Sequence, residues 1–147
     1  MNQTENLLQA IWENGRMGED ALKLLIDDCS DKLRQDMAAQ KARYADAARD
    51  AEQRLYQMNL KPRGRSPAAR AGLWMGMRMN TLTDKSEAHI ADILVQGATM
   101  GILDLTKARN SNPDADANAQ GMAAALIEGQ QAFIDCMKAY LYQETAK

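Results

Sequence analysis

His89 is the only imidazole in a chain of 147 residues that also carries twenty acidic side chains, eighteen basic ones and two cysteines. A carboxylate-bridged di-metal centre in a helical bundle needs a Glu from each of two helices and a Glu-x-x-His from each of the other two. Ser86 stands three residues before His89, so no Glu-x-x-His is present. His89 and Asp92 are spaced to share a helix face, but one imidazole does not make a selective transition-metal site, and a surface histidine is the plainer reading. Glu19, Asp104 and Glu128 fall near the apolar seams and are the candidates for an oxygen-only Mn²⁺, Mg²⁺ or Fe²⁺ site. Their plainer reading is that they flank the seams and reach solvent. Cys29 and Cys136 as nucleophiles would need a positioned base, and His89 is the only imidazole on offer. The expectation is no catalytic residue, no resident metal and no cofactor.

Other residues suit binding or packing better than reaction. Gln40 and Gln130 occupy positions where an apolar residue is expected, each near the middle of a helix. A buried amide left without partners costs ~1–3 kcal/mol, so the two are expected to bond each other or to hold water. Gly15, Gly18, Gly97, Gly101 and Gly129 each cost ~1 kcal/mol of helix stability relative to alanine, which close helix contact or a small central space would offset. Leu73 to Met79 is apolar on more than one face of a helix, and Trp74, Met75, Met77 and Met79 cannot all point the same way. Apolar surface left outside marks a partner or homodimer contact, and methionine suits an adaptable interface. Lys61, Arg63, Arg65, Arg70 and Arg78 form an acid-free basic segment, a weak anion-binding candidate through Arg63, Arg65, Arg70 and Arg78. No aromatic residue falls between Lys61 and Arg70 to stack on bases, so nucleic acid is not the expected partner.

These residues must be positioned by helices. The composition favours Ala, Leu, Met, Gln, Glu, Lys and Arg over β-branched and aromatic residues, and the three prolines, Pro62, Pro67 and Pro113, mark connections. A first helix over about 5–28, starting after Thr4, carries a seam of Leu8, Ile11, Gly15, Gly18, Leu22, Leu25 and Cys29. A second over about 31–58, capped by Ser30 and Asp31, turns Leu33, Met37, Gln40, Tyr44, Ala47, Ala51, Leu55 and Met58 inward. The short turn between them predicts an antiparallel hairpin. A shorter helix over 67–82 follows Ser66-Pro67. The next helix runs over 86–109 with Ile90, Leu94, Gly97, Gly101, Leu105 and Ala108 inward. Asn112-Pro113 opens the last, over 113–143, with Ile127, Gln130, Ile134, Met137 and Leu141. The second helix, at about 29 residues, is ~43 Å long. Residues 59–86 are enough to carry the chain back along it, which predicts a helical crossover and places Cys29 and Cys136 toward the same end.

The length bounds the answer to one domain, 1–147, large enough to fold without disulfide or metal staples. Net charge is −2, but residues 32–78 carry eleven basic and four acidic side chains while both flanks are acidic. No run approaches a membrane span, and the first residues do not read as a secretion signal. The expected setting is the cytoplasm, with free, mostly packed thiols and no membrane partner.

Several segments resemble a bacterial ferritin-like family of four-helix proteins. Gly18-Glu19-Asp20-Ala21-Leu22 is similar to its first-helix segment. Met37-Ala38-Ala39-Gln40-Lys41-Ala42-Arg43-Tyr44 resembles its second helix, where Gln, a basic residue and an aromatic recur. Ala71-Gly72-Leu73-Trp74-Met75 and Ile93-Leu94-Val95-Gln96-Gly97 resemble its crossover helix and third helix. The family pattern has a Gly-Glu pair where this chain has Gly97-Ala98, so a carboxylate suited to cation binding is missing. The resemblance implies an all-α, ferritin-like four-helix bundle with a helical crossover between the second and third helices, and supplies no chemistry. The leading expectation is a non-enzymatic, homo-oligomerising structural or protein-interaction module, a dimer through Trp74, Met75, Met77 and Met79. The alternatives are a carboxylate-only metal-binding or oxidoreductase bundle, and an anionic-partner module acting through the basic segment.

Overall fold

The computed structural model describes residues 2–63 and 86–141. Within them the chain forms four long helices and no strand: α1 Gln3–Leu25, α2 Asp31–Gln57, α3 Glu87–Ser111 and α4 Ala117–Met137. Short 3₁₀ turns, Ile26–Asp28 and Lys138–Tyr140, continue α1 and α4.

The helix ends follow local hydrogen bonding more closely than apolar pattern. The cap of α1 is Asn2, whose Oδ1 accepts from Thr4 N at 2.8 Å. Thr4, expected as the cap, is instead buried in the first turn, where its hydroxyl accepts from Asp116 N at 2.8 Å. The start expected at Pro113 is displaced to Ala117. Asn112 to Ala115 closes a turn (Ala115 N to Asn112 O, 3.1 Å), and Asp116 caps α4 by accepting from Ala119 N at 2.9 Å. At the far end of α2, Asn59 adopts φ 61°, and Leu60 N reaches back to Leu55 O at 2.8 Å. A left-handed residue with that back-bond is how many helices satisfy their last carbonyls.

Helix directions follow from the bonds at each end. At one end Asn6 donates to Asn112 (3.2 Å), Asp114 N to Gln3 Oε1 (2.7 Å), and Arg54 pairs with Asp116 (2.8 Å). At the other, Ser30 bonds Glu87, and the Tyr140 hydroxyl donates to Asp36 at 2.7 Å. The order is therefore up, down, down, up. Going round the bundle, α1 is followed by α2, α4 and α3, so α2 and α3 stand at opposite corners. The end of α2 and the start of α3 lie at opposite ends of the molecule. The crossover helix expected over 67–82 lies outside the described residues.

The core matches the seams with shifts of one position. Leu7, Leu8, Ile11, Leu22, Leu25, Leu33, Met37, Leu55, Ile90, Leu105 and Met137 are essentially fully enclosed, each such side chain contributing ~1.5–3 kcal/mol by leaving water. Ala48 is buried where Ala47 was expected, Ala98 is more deeply enclosed than Gly97, and Leu126 than Ile127. In each case the side chain at the closest approach is set by helix rotation against two neighbours, where the apolar spacing left two adjacent positions open.

Candidate functional site: a polar relay through all four helices

At mid-height the apolar core gives way to a layer of buried polar groups, one from each helix. The Tyr44 hydroxyl (α2) donates to Gln130 Oε1 (α4) at 3.0 Å. Gln130 Nε2 donates to Asn14 Oδ1 (α1) at 3.1 Å. Asn14 Nδ2 donates to the Gly101 carbonyl (α3), also at 3.1 Å. Tyr44, Gln130 and Asn14 are all at most 5 % exposed. Every donor points the same way, from α2 toward α3, and the terminal backbone carbonyl fixes that sense. Each amide then has one orientation that satisfies its neighbours, and bonds in line polarise one another.

Gln40 lies one turn before Tyr44 and is fully enclosed. Its Oε1 accepts from Arg43 Nη1 at 3.0 Å, which brings a cation to the head of the layer. Its Nε2 makes no hydrogen bond of good geometry among the described residues. The Gln40 amide nevertheless faces the Tyr44 hydroxyl closely enough to favour the phenolate slightly. Burial outweighs that effect and pushes the Tyr44 pKa up to about 12. Gln40 and Gln130 do not bond each other, because Tyr44 and Asn14 take the Gln130 amide.

Glycines make room for the layer. A Cβ on Gly101 would overlap Gln130 Oε1, and one on Gly18 would stand 2.6 Å from the Tyr44 ring. At Gly15 it would lie 2.7 Å from the Tyr44 carbonyl oxygen and 3.0 Å from Ala48 Cβ. Among the described residues nothing lies within 4 Å of a Cβ built on Gly129, so no described neighbour gives that glycine a packing reason.

The carboxylates singled out from the sequence are not brought together. Glu19 pairs with Arg16 on α1 at 3.4 Å, Glu128 is exposed on α4, and Asp104 is exposed on α3. Among the described residues no three His, Cys, Asp or Glu side chains converge to hold a metal ion. Asp104 instead shares a groove of about 120 Å³ between α1 and α3 with Ala10, Glu13, Asn14, Met17 and Leu105. His89 is exposed, and Asp92 accepts from Gln96 Nε2 at 3.1 Å.

Cys29 is buried and Cys136 exposed, both toward the end of the bundle where α2 begins, and they do not form a disulfide. Partial burial, then the neighbouring Asp36, pushes the Cys136 thiol up. Burial and Asp36 also raise the Tyr140 hydroxyl, and Lys32 Nζ sits 5.9 Å from the Tyr140 ring centroid. A thiol held protonated is a poor nucleophile. Arg63 donates its backbone N–H to Gln9 Oε1 at 2.8 Å. Arg65, Arg70, Arg78, Trp74, Met75, Met77 and Met79 lie outside the described residues.

Asn14 is the member of the layer that sequence reasoning missed. A signal existed, since Asn14 stands seven residues after Leu7 and three after Ile11, on the same stripe.

Fold and site together define an all-α four-helix bundle with a neutral, hydrogen-bonded polar layer at its centre. Neither a family model, nor a curated protein, nor a solved structure matches the chain. Among the described residues no helix is long and apolar enough to cross a membrane.

Proposed function

We propose that the chain is a ferritin-like bundle without di-iron chemistry, acting in the cytoplasm as a homo-oligomerising structural or protein-interaction module. The observation that carries this reading is the relay. The layer where such a bundle would gather carboxylates and imidazoles is built from two amides, a phenol and a peptide carbonyl. Amides neither take up nor release protons near neutral pH, and a tyrosine raised to about 12 stays protonated. Such a layer orients helices and offers no general base or anionic ligand set. The up, down, down, up helix order supports the ferritin-like part, because it demands one long connection between the second and third helices.

Function then belongs to the outside of the molecule, and the contact surface proposed for a dimer is Trp74, Met75, Met77 and Met79. A carboxylate-only metal site is not carried forward, since Glu19, Asp104 and Glu128 do not gather among the described residues; an anionic partner acting through the basic segment stays the second reading.

The test is size-exclusion light scattering with elemental analysis on one sample purified without chelator. A metal-free dimer that becomes a monomer in the Trp74→Ala/Met77→Ala variant is the expected result. Stoichiometric iron or manganese, or a mass unchanged by the double substitution, would overturn the reading.

A further inference from the structure

The polar layer carries a desolvation cost that an apolar core does not, and its geometry shows what that cost secures. Asn14, Tyr44, Gly101 and Gln130 each stand at or within three residues of the midpoint of their helix. Every link joins two helices, between residues 86, 116 and 87 positions apart. The core on either side of the layer is apolar and repetitive, with Leu22 and Leu25 on α1 and Ala48, Ala51 and Leu55 on α2 at helical spacing. Apolar burial has no direction, so a helix slid by one turn, about 5.4 Å, meets neighbours of the same kind. A donor that reaches its acceptor at 3.0–3.1 Å loses it in such a slide.

The order of donors runs beyond the three links. The Tyr44 proton is committed to Gln130, so the Tyr44 oxygen is left to accept. The Gln40 amide faces that oxygen. Arg43 Nη1 occupies Gln40 Oε1, which turns Gln40 Nε2 toward Tyr44, and Nε2 has no other hydrogen-bond partner among the described residues. The sense set by the Gly101 carbonyl therefore continues to an exposed guanidinium on α2. Turned over, the Gln40 amide would compete with Gln130 for the Tyr44 proton.

We propose that this layer is the register device of the bundle, and that Arg43, acting through Gln40, is the positioning residue that holds its head. The apolar stripes supply stability, and the layer selects one height and one rotation for each helix, as a single polar position does in a coiled coil. Gly15, Gly18 and Gly101 fit the same role, because each lets a neighbouring helix approach closely beside the layer. Every contact involved lies within one copy of the chain, so the device is independent of a dimer.

The first test removes the layer while keeping its volume. Asn14→Leu, Gln40→Met, Tyr44→Phe and Gln130→Met are combined in the full chain with Cys29→Ala and Cys136→Ser. Register is read as the pulsed-resonance distance between spin labels at Gln57→Cys and His89→Cys, exposed at opposite ends of α2 and α3. Excess unlabelled protein confines the reading to one copy. The expected result is one narrow distance with the layer and, without it, several distances separated by about 5 Å, one helix turn. The denaturation midpoint should be no lower than the parent's, because polar partners replaced together by apolar groups of the same shape leave no orphan. A single narrow distance without the layer, or a lowered midpoint, would each overturn the proposal. The second test reads Arg43 by NMR. Arg43→Met removes the donor and Arg43→Lys restores one, so the side-chain amide signals of Gln40 should double in the first variant and return to one set in the second. One undisturbed set in Arg43→Met would overturn the role of Arg43.

Discussion

Tyr44 is the one titratable group in the polar layer, and its environment turns alkaline pH into a probe of the relay. Its folded-state pKa is raised from the ordinary 10.0 to about 12, mainly by burial. Below pH 10 the phenol is protonated whether the chain is folded or not, and its contribution to stability is fully present. Between 10 and 12 the unfolded chain releases the proton and the folded one keeps it, so stability falls as pH rises. Two units correspond to roughly 2–3 kcal/mol for Tyr44. Tyr140, also raised, adds a loss of the same sign. Denaturant titrations at successive pH values should show stability declining above pH 10, and Tyr44→Phe should flatten part of that decline. The same variant leaves Gln130 Oε1 without its donor and should lose ~1–3 kcal/mol at neutral pH. Identical alkaline slopes for the two proteins would mean that Tyr44 is not held neutral by the fold.

The four helices meet closely because of what their glycines lack. Gly101 on α3 and Gly129 on α4 read alike in the sequence, since each weakens a helix by ~1 kcal/mol relative to alanine. Their surroundings separate them. A methyl group on Gly101 meets the Gln130 amide in an enclosed layer, whereas one on Gly129 meets nothing. Gly129→Ala should therefore raise stability by up to ~1 kcal/mol through helix propensity. Gly101→Ala should lower it by ~1–3 kcal/mol, because overpacking outweighs the same propensity gain. The readout is the denaturation midpoint at unchanged slope, and shifts of the same sign in both variants would show that the layer yields freely.

The connection order belongs to the whole molecule. With α2 and α3 both running down, Gln57 at the end of α2 and His89 at the start of α3 lie at opposite ends. The twenty-seven residues of α2 set their separation at about 40 Å. An up-down-up-down bundle would make the same positions neighbours. Spin labels at Gln57→Cys and His89→Cys, in the chain with Cys29→Ala and Cys136→Ser, should give a pulsed-resonance distance near that helix length. A short distance would reverse the direction of α3. The same topology puts Cys29 and Cys136 toward one end of the bundle.

The four long helices and much of the core were legible in the sequence, because apolar side chains at steps of three and four leave a helix one face to bury. The lack of a second imidazole, and with it of the Glu-x-x-His chemistry, was equally plain. Gln40 and Gln130 stood out as polar residues on apolar stripes, but their partners did not, since a buried amide bonds whatever the packing of three other helices brings to it. Hence Gln130 pairs with Tyr44 and Asn14 instead of Gln40, Asp104 lines a groove with Glu13 instead of gathering with Glu19 and Glu128, and α4 begins at Ala117 instead of Pro113. Spacing along the chain determines which face of each helix turns inward. Only the tertiary structure decides which inward groups touch, because that depends on the rotation and height of one helix against another.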